Sequence, residues 1–143
     1  MAARADPPPA FRFEILIDGL AAAGFSECSG LDSETEVVEY REGGVNDRVH
    51  KFLGGTRQPN LVLRRGVTGR ELYDWHAALV AGNVTPRNGA IHVYDVSGRQ
   101  VIMEWRIRAA LPVKWLGPKL DALASRVAVE MLELAHEGLV RTI

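Results

Sequence analysis

Residues 11–18 alternate, with Phe11, Phe13, Ile15 and Ile17 set against Arg12, Glu14, Leu16 and Asp18. A period of two puts every second side chain on one face, so this stretch predicts a half-buried strand. Asp18-Gly19 is a favoured pair for a tight primed turn, in which both central residues need positive φ. It predicts a hairpin into a second strand through Phe25, packed closely against a neighbour or weak because Ala21, Ala22, Ala23 and Gly24 are small. Ser33–Tyr40 predicts a further strand, with Val37 and Val38 on opposite faces, and "NLVLRRG" a short one ending in Arg64 and Arg65.

The period then changes. In "VTGRELYDWHAALVAGN", Leu72, Trp75, His76 and Leu79 recur at helical spacing. Thr68 and Glu71 stand three apart, as in a capping box, and Gly82 supplies a stop. The alternation of two returns in "GAIHVYDVSGRQVIMEWRIRAA", which predicts a hairpin turning at Ser97-Gly98. "LPVKWLGPKLDALAS", broken by Pro112, Gly117 and Pro118, predicts an irregular connection. Residues 126–135 are ambiguous: Arg126, Glu130, Glu133 and Glu137 form a helical polar stripe, while Val127, Val129 and Met131 alternate as in a strand. Periodicity alone leans to helix. The total is a mainly β, antiparallel domain of six or seven strands with one helix packed on it.

One stretch fits neither period. "EYREGGVNDRVHKFLGGTRQPN", residues 39–60, carries two glycine pairs, charges of both signs and scattered apolar residues. A phosphate cradle needs a Lys-Ser or Lys-Thr after its glycines and a helix behind them, and neither follows. Val45, Val49, Phe52 and Leu53 are anchors that a plain disordered insertion has no use for.

Length and charge narrow the function. At 143 residues the chain is one domain. A net charge of −1 gives no basic stripe for nucleic acid. Cys28 is the single cysteine, so no internal disulfide forms. "MAARADPPPA" has no apolar run of the kind a secretory signal carries and reads as a tail, residues 1–10, before a single domain of residues 11–143. No apolar run approaches the roughly 18 residues of a membrane helix. The expectation is a protein made in the cytoplasm.

No constellation carries chemistry. His50, His76, His92 and His136 lie on separate predicted elements without ligand spacing. The serines of "GFSECSGL" lack the strand-turn-helix elbow of a nucleophile, and the carboxylates fall at alternating positions where a solvated face explains them. Trp105 and Trp115 beside Arg106, Arg108 and Lys114 suggest one packed and one charged face more than nucleic-acid stacking. No catalytic residue, cofactor or metal is expected.

Taken in order, "FRFEILIDGLAAAGFSECSGLDSETEVVEYREGG", "RQPNLVLRRGVTGRELYDWHAALVAG", "RNGAIHVYD" and "VAVEMLELAHEGL" resemble the tail tube proteins of contractile phages and the related contractile injection systems, from about Phe11 to Leu139. The resemblance implies a tail-tube-like antiparallel β-barrel or sandwich flanked by one helix, similar in fold to the ring protein of type VI secretion, and makes residues 126–135 a strand. It implies a structural subunit whose hexameric rings stack into a hollow tube for cargo delivery. The partners implied are other copies, a surrounding sheath, and baseplate and cap proteins. It further implies that residues 41–58 are an extended assembly loop, with inter-subunit contacts at Gly43, Gly44, Val45, Asn46, Asp47, Arg48, His50, Lys51, Phe52, Leu53 and Arg57. Polar positions for the lumen or the outer wall are Arg12, Glu14, Glu36, Arg106 and Arg108. Two alternatives stand beside this reading: a monomeric β-barrel module for nucleic acid or glycan, and a tube-initiating or secreted ring protein of the same superfamily.

Overall fold

The computed structural model describes residues 12–20, 24–41, 49–123 and 127–143. Along the chain these form β1 (Phe13–Ile17), β2 (Glu27–Ser29), β3 (Glu34–Tyr40), β4 (His50–Arg57), β5 (Leu61–Gly66), α1 (Glu71–Val80), β6 (Arg87–Tyr94), β7 (Val101–Leu116), β8 (Val129–Ala135) and β9 (Gly138–Arg141). All strand pairs are antiparallel. The main sheet runs β1-β6-β7-β8-β5-β2 with β9 also on β7, and β3-β4 form a separate pair.

β7 makes the architecture. Its first half pairs with β6 and β9, its second with β8. The strand changes direction at Ala109, whose φ is +52° and whose N–H donates to Asn88 Oδ1 at 3.0 Å. One long strand thus serves two layers, β1-β6-β7-β9 and β7-β8-β5-β2. The alternating apolar residues meet between them: Ile15, Ile17, Ile91 and Ile107 from one side, Leu61, Leu63, Leu132 and Leu134 from the other, all buried. Each such side chain contributes about 1.5–3 kcal/mol by leaving water.

Helix α1 closes one end of this core with Leu72 and Trp75. Its Tyr73 ring meets Trp115 edge-on at 5.0 Å. His76 Nδ1 donates to the Pro112 carbonyl at 2.7 Å, on the half of β7 that β6 no longer pairs. The helix stops as the sequence predicts. Gly82 takes φ +94°, its N–H bonds the Leu79 carbonyl, and Asn83 N–H bonds that of Ala78, the double closure of a Schellman motif.

Several expectations need correction. Ile17 and Leu20 do close a turn, but only Gly19 has positive φ, so it is not of the primed type. β1 pairs with β6 rather than turning back on itself. The strand expected through Phe25 is Glu27–Ser29, paired with β5. Thr68 does not cap the helix; Arg70 holds that position without a side-chain bond, and Glu71 turns to Arg65 instead. The connection expected over Pro112 is strand as far as Leu116. A register shift between Pro112 and Lys114 absorbs the proline, which has no N–H to offer a ladder. Residues 129–135 are strand, as the resemblance implied and against the helical stripe. Within the resemblance's extended loop, residues His50–Arg57 form strand β4.

Candidate assembly surfaces

The β3-β4 pair is the part of the fold that the subunit itself does not finish. Every residue of both strands is exposed, and among the described residues the strands pair only with each other. An isolated two-stranded ribbon is marginal in water at best. Cross-strand partners share a face, so Val38 and Phe52 lie with Tyr40 and His50 on one side, Val37 and Leu53 with Glu39 and Lys51 on the other. On the first side the Tyr40 ring is 6.1 Å from Phe52 and 6.2 Å from His50. Both faces therefore carry apolar groups: Phe52 is 58% and Leu53 79% exposed.

The second glycine pair has a structural explanation. Thr35 faces Thr56 and Val37 faces Leu53, so Glu36 alone spans the interval occupied by Gly54 and Gly55. Two residues opposite one is a β-bulge, which bends and twists a strand. A Cβ on Gly54 would stand 3.2 Å from the Glu36 side chain. Just beyond the bulge Thr35 and Thr56 join hydroxyls at 3.0 Å.

The stem of this ribbon is fixed to the body. Gln58 uses both ends of its amide on Leu139, donating to the carbonyl at 2.7 Å and accepting from the N–H at 3.0 Å. His136 Nε2 donates to the Pro59 carbonyl at 3.2 Å, and Asn60 Nδ2 to Glu133 at 3.1 Å. On the other leg Gly30, at φ +101°, lies so close to the Asn60 carbonyl that a Cβ would overlap it.

Four of the five polar wall candidates come together. Arg12 precedes β1, and Glu14, Arg106 and Arg108 alternate outward on β1 and β7 of the first layer, whereas Glu36 sits in the ribbon opposite the bulge. Around them run Tyr94 Oη to Glu14 at 2.8 Å, Arg106 to Glu104 at 2.8 Å and His92 to Glu104 at 3.6 Å. The Glu14 carboxylate, as acceptor, holds the Tyr94 hydroxyl above its ordinary pKa. This face is a network of charged and polar side chains. Of the eleven contact candidates, His50, Lys51, Phe52, Leu53 and Arg57 lie on β4, while Gly43, Gly44, Val45, Asn46, Asp47 and Arg48 lie outside the described residues.

Sequence reading missed the buried ionic cluster. Arg65 and Glu130, each 1% exposed, are cross-strand partners joined at 2.7 Å. Arg65 also reaches Glu71 at 2.9 Å, and Trp115 Nε1 donates to the second Glu130 oxygen at 3.1 Å. The guanidinium lies over the Phe25 ring, 5.6 Å from its centroid. Glu71 sits below the usual carboxylate range, held first by its own backbone N–H and then by Arg65. The cluster ties β5, β7, β8 and the helix start together. The signal was present in Arg65 and Glu130 falling in phase with Leu61, Leu63, Leu132 and Leu134, the inward positions of their strands.

Among the described residues no group of three or more His, Cys, Asp or Glu is arranged to hold a metal, and no helix is long and apolar enough to cross a membrane. Cys28 faces the core beside Leu63, where burial raises its thiol to about 11.

A closed sandwich that extends a ribbon bare on both faces is a subunit for assembly. The chain belongs to the T4-like virus tail tube protein gp19 family, which it matches over residues 9–140, and it is a structural subunit of an inner tube. Among solved structures it is similar to a chain of the PVC extracellular contractile injection system, solved with its sheath/tube terminator in the extended state, at 28% identity and a TM-score of 0.88. That match covers 99% of this chain and 100% of the other. A chain from the anti-feeding prophage cap gives 28% identity and a TM-score of 0.87, covering 99% and 95%. Hcp1 from Flavobacterium johnsoniae shares the fold at 14% identity and a TM-score of 0.55, covering 90% and 93%. No curated protein matches the chain.

Proposed function

We propose that this protein forms hexameric rings that stack into a hollow tube inside a contractile sheath, and that the tube belongs to an extracellular injection particle or phage tail. One observation carries the reading: the end-to-end similarity, in both directions, to a chain solved within such a particle. The subunit acts by assembling and has no catalysis of its own. Exposed strand edges invite pairing with another chain, and a ring closes them by giving each edge a neighbour. The β3-β4 ribbon is the inter-subunit arm, with His50, Lys51, Phe52, Leu53 and Arg57 as contacts. The charged face of β1, β6 and β7 lines the bore, because a channel for cargo stays wet and the charge network suits water. Sheath, baseplate and cap proteins are the remaining partners, by analogy with the particles in which the similar chains were solved.

Negative-stain electron microscopy of the purified protein, alone and co-expressed with sheath and baseplate proteins, tests this. Rings with an axial hole, and tubes of stacked rings, are expected. Monomers under every condition would overturn it.

A further inference from the structure

The direction in which the β3-β4 ribbon leaves the body is set at its stem. Among the described residues β3 and β4 pair only with each other, and their side-chain bond, Thr35 to Thr56, is internal to the ribbon. β4 ends at Arg57, and the next residue, Gln58, turns its side chain onto β9. In an antiparallel ladder, residues that exchange bonds with the partner strand alternate with residues that do not. The Thr142 N–H donates to the Glu104 carbonyl, and Val140 faces Arg106 while Leu139 faces Ile107. Bonds to β7 therefore fall at Thr142 and Val140, and Leu139 presents its N–H and C=O at the other edge of β9. The Gln58 amide takes both, donating at 2.7 Å and accepting at 3.0 Å. Its side chain thus stands in for one residue of a further strand. Exchanging its oxygen and nitrogen would set like against like at both contacts, which fixes the amide's orientation.

We propose that Gln58 is the positioning residue of the ribbon: its amide docks the stem on the outer edge of β9 and so fixes the direction in which the ribbon leaves the subunit. The other two tethers, His136 to the Pro59 carbonyl and Asn60 to Glu133, are single bonds and lie farther from β4. A hydrogen bond weakens steeply as its angle closes. Two bonds from one planar amide therefore fix an orientation, where a single bond fixes little more than a distance. The platform is firm, because the Leu139 side chain is buried in the core. The consequence for assembly rests on the tube reading: a ribbon that swings freely must be ordered when a ring or tube forms, and that ordering costs affinity.

Two substitutions separate the bonds from the packing. Gln58→Met keeps the length of the side chain and makes neither bond. Gln58→Glu keeps the acceptor but sets a carboxylate oxygen against the Leu139 carbonyl. Once protonated, roughly below pH 4.3 for an ordinary glutamate, its O–H donates there and restores both bonds. Ribbon direction is read as the distance between spin labels at Glu39→Cys in the ribbon and Val80→Cys at the end of α1, both exposed. The labels are carried on a Cys28→Ala background in dissociated full-length subunits, with circular dichroism confirming the fold. With Gln58 in place one narrow distance peak is expected, and Gln58→Met should lose it to a broad distribution. Gln58→Glu should be broad at pH 7.5 and narrow at pH 4, each read against Gln58 at the same pH because Glu133 and His136 of the stem titrate in both. A melting loss with unchanged distances, the result of a merely structural clamp, overturns the inference. So does a distribution as broad with Gln58 as with Met at pH 7.5. In unlabelled chains Gln58→Met should need a roughly tenfold higher concentration to assemble, or more, as the loss of two ordinary hydrogen bonds implies; an unchanged onset also overturns the inference. A wild type that never forms rings overturns the tube reading, and the label distances still decide the role of Gln58.

Discussion

At the scale of single residues the fold places two unusual groups inside, and each has a measurable consequence. Removing one partner of a buried ion pair leaves an uncompensated charge, which costs about 3–5 kcal/mol. Glu130→Ala should therefore lower unfolding stability by about that much in denaturant titration, with Trp115 fluorescence shifted because its N–H loses an acceptor. The paired replacement Arg65→Met with Glu130→Leu should cost far less, since it removes both charges at once; equal losses would show that the pair is not the source. Cys28 is a second probe. Its raised pKa means the folded chain keeps the thiol neutral at pH 8, so an aromatic disulfide reagent should react at least tenfold faster with the denatured chain. The sign for stability follows from the same shift: the folded state favours the protonated thiol, so this contribution is full below pH 9 and is lost as pH rises toward about 11. Cys28→Ala should flatten that alkaline loss in pH-dependent melts.

At the scale of elements, alternation was legible wherever one face met the core. The first strand, Leu61–Gly66, the helix face and the hairpin over residues 89–110 were all readable from spacing of two or 3.6. The failures share a cause: a local signal lost to a distant partner. Asp18-Gly19 looked like a hairpin turn, but β1 gains more by pairing with β6, more than seventy positions away. Glu130 looked like part of a solvated stripe because its partner Arg65 stands 65 positions back. Pro112 looked like a break because the sequence does not show that its strand passes there from one layer to the other. β4 was hidden by glycines whose role depends on pairing. That bulge yields a prediction of its own. Deleting Gly55 restores one-to-one pairing opposite Glu36 and removes the local bend, so the ribbon tip is re-aimed while Val37 still faces Leu53. Monomer melting should be unchanged within about 0.5 kcal/mol, because a surface change away from core and caps costs little, and stacking should be lost. Normal tubes from this variant would mean that the bulge does not aim the ribbon.

At the scale of the whole molecule, the two layers differ in what their outer faces can touch. The first layer shows Glu14, His92, Glu104, Arg106 and Arg108 outward. The second turns out Val62, Met131, Leu116 and Val129 among its charges, and Met131 is already buried there. Burying the first face against protein would desolvate a charge network, which is costly unless every charge finds a partner. Burying the second costs less and gains apolar area. We propose on this ground that the bore belongs to the first layer and protein contact to the second, a division that labelling can separate. Arg106→Cys and Arg64→Cys are made on a Cys28→Ala background and treated with a small maleimide and with one carrying a long polyethylene glycol chain. In dissociated subunits both reagents should modify both positions. In intact, sheath-free tubes the small reagent should still reach both. The bulky reagent should modify position 64 and be excluded from position 106, because only the latter faces a channel too narrow for the polymer. The opposite pattern, with 106 open and 64 protected, would place the second layer on the bore and reverse the assignment.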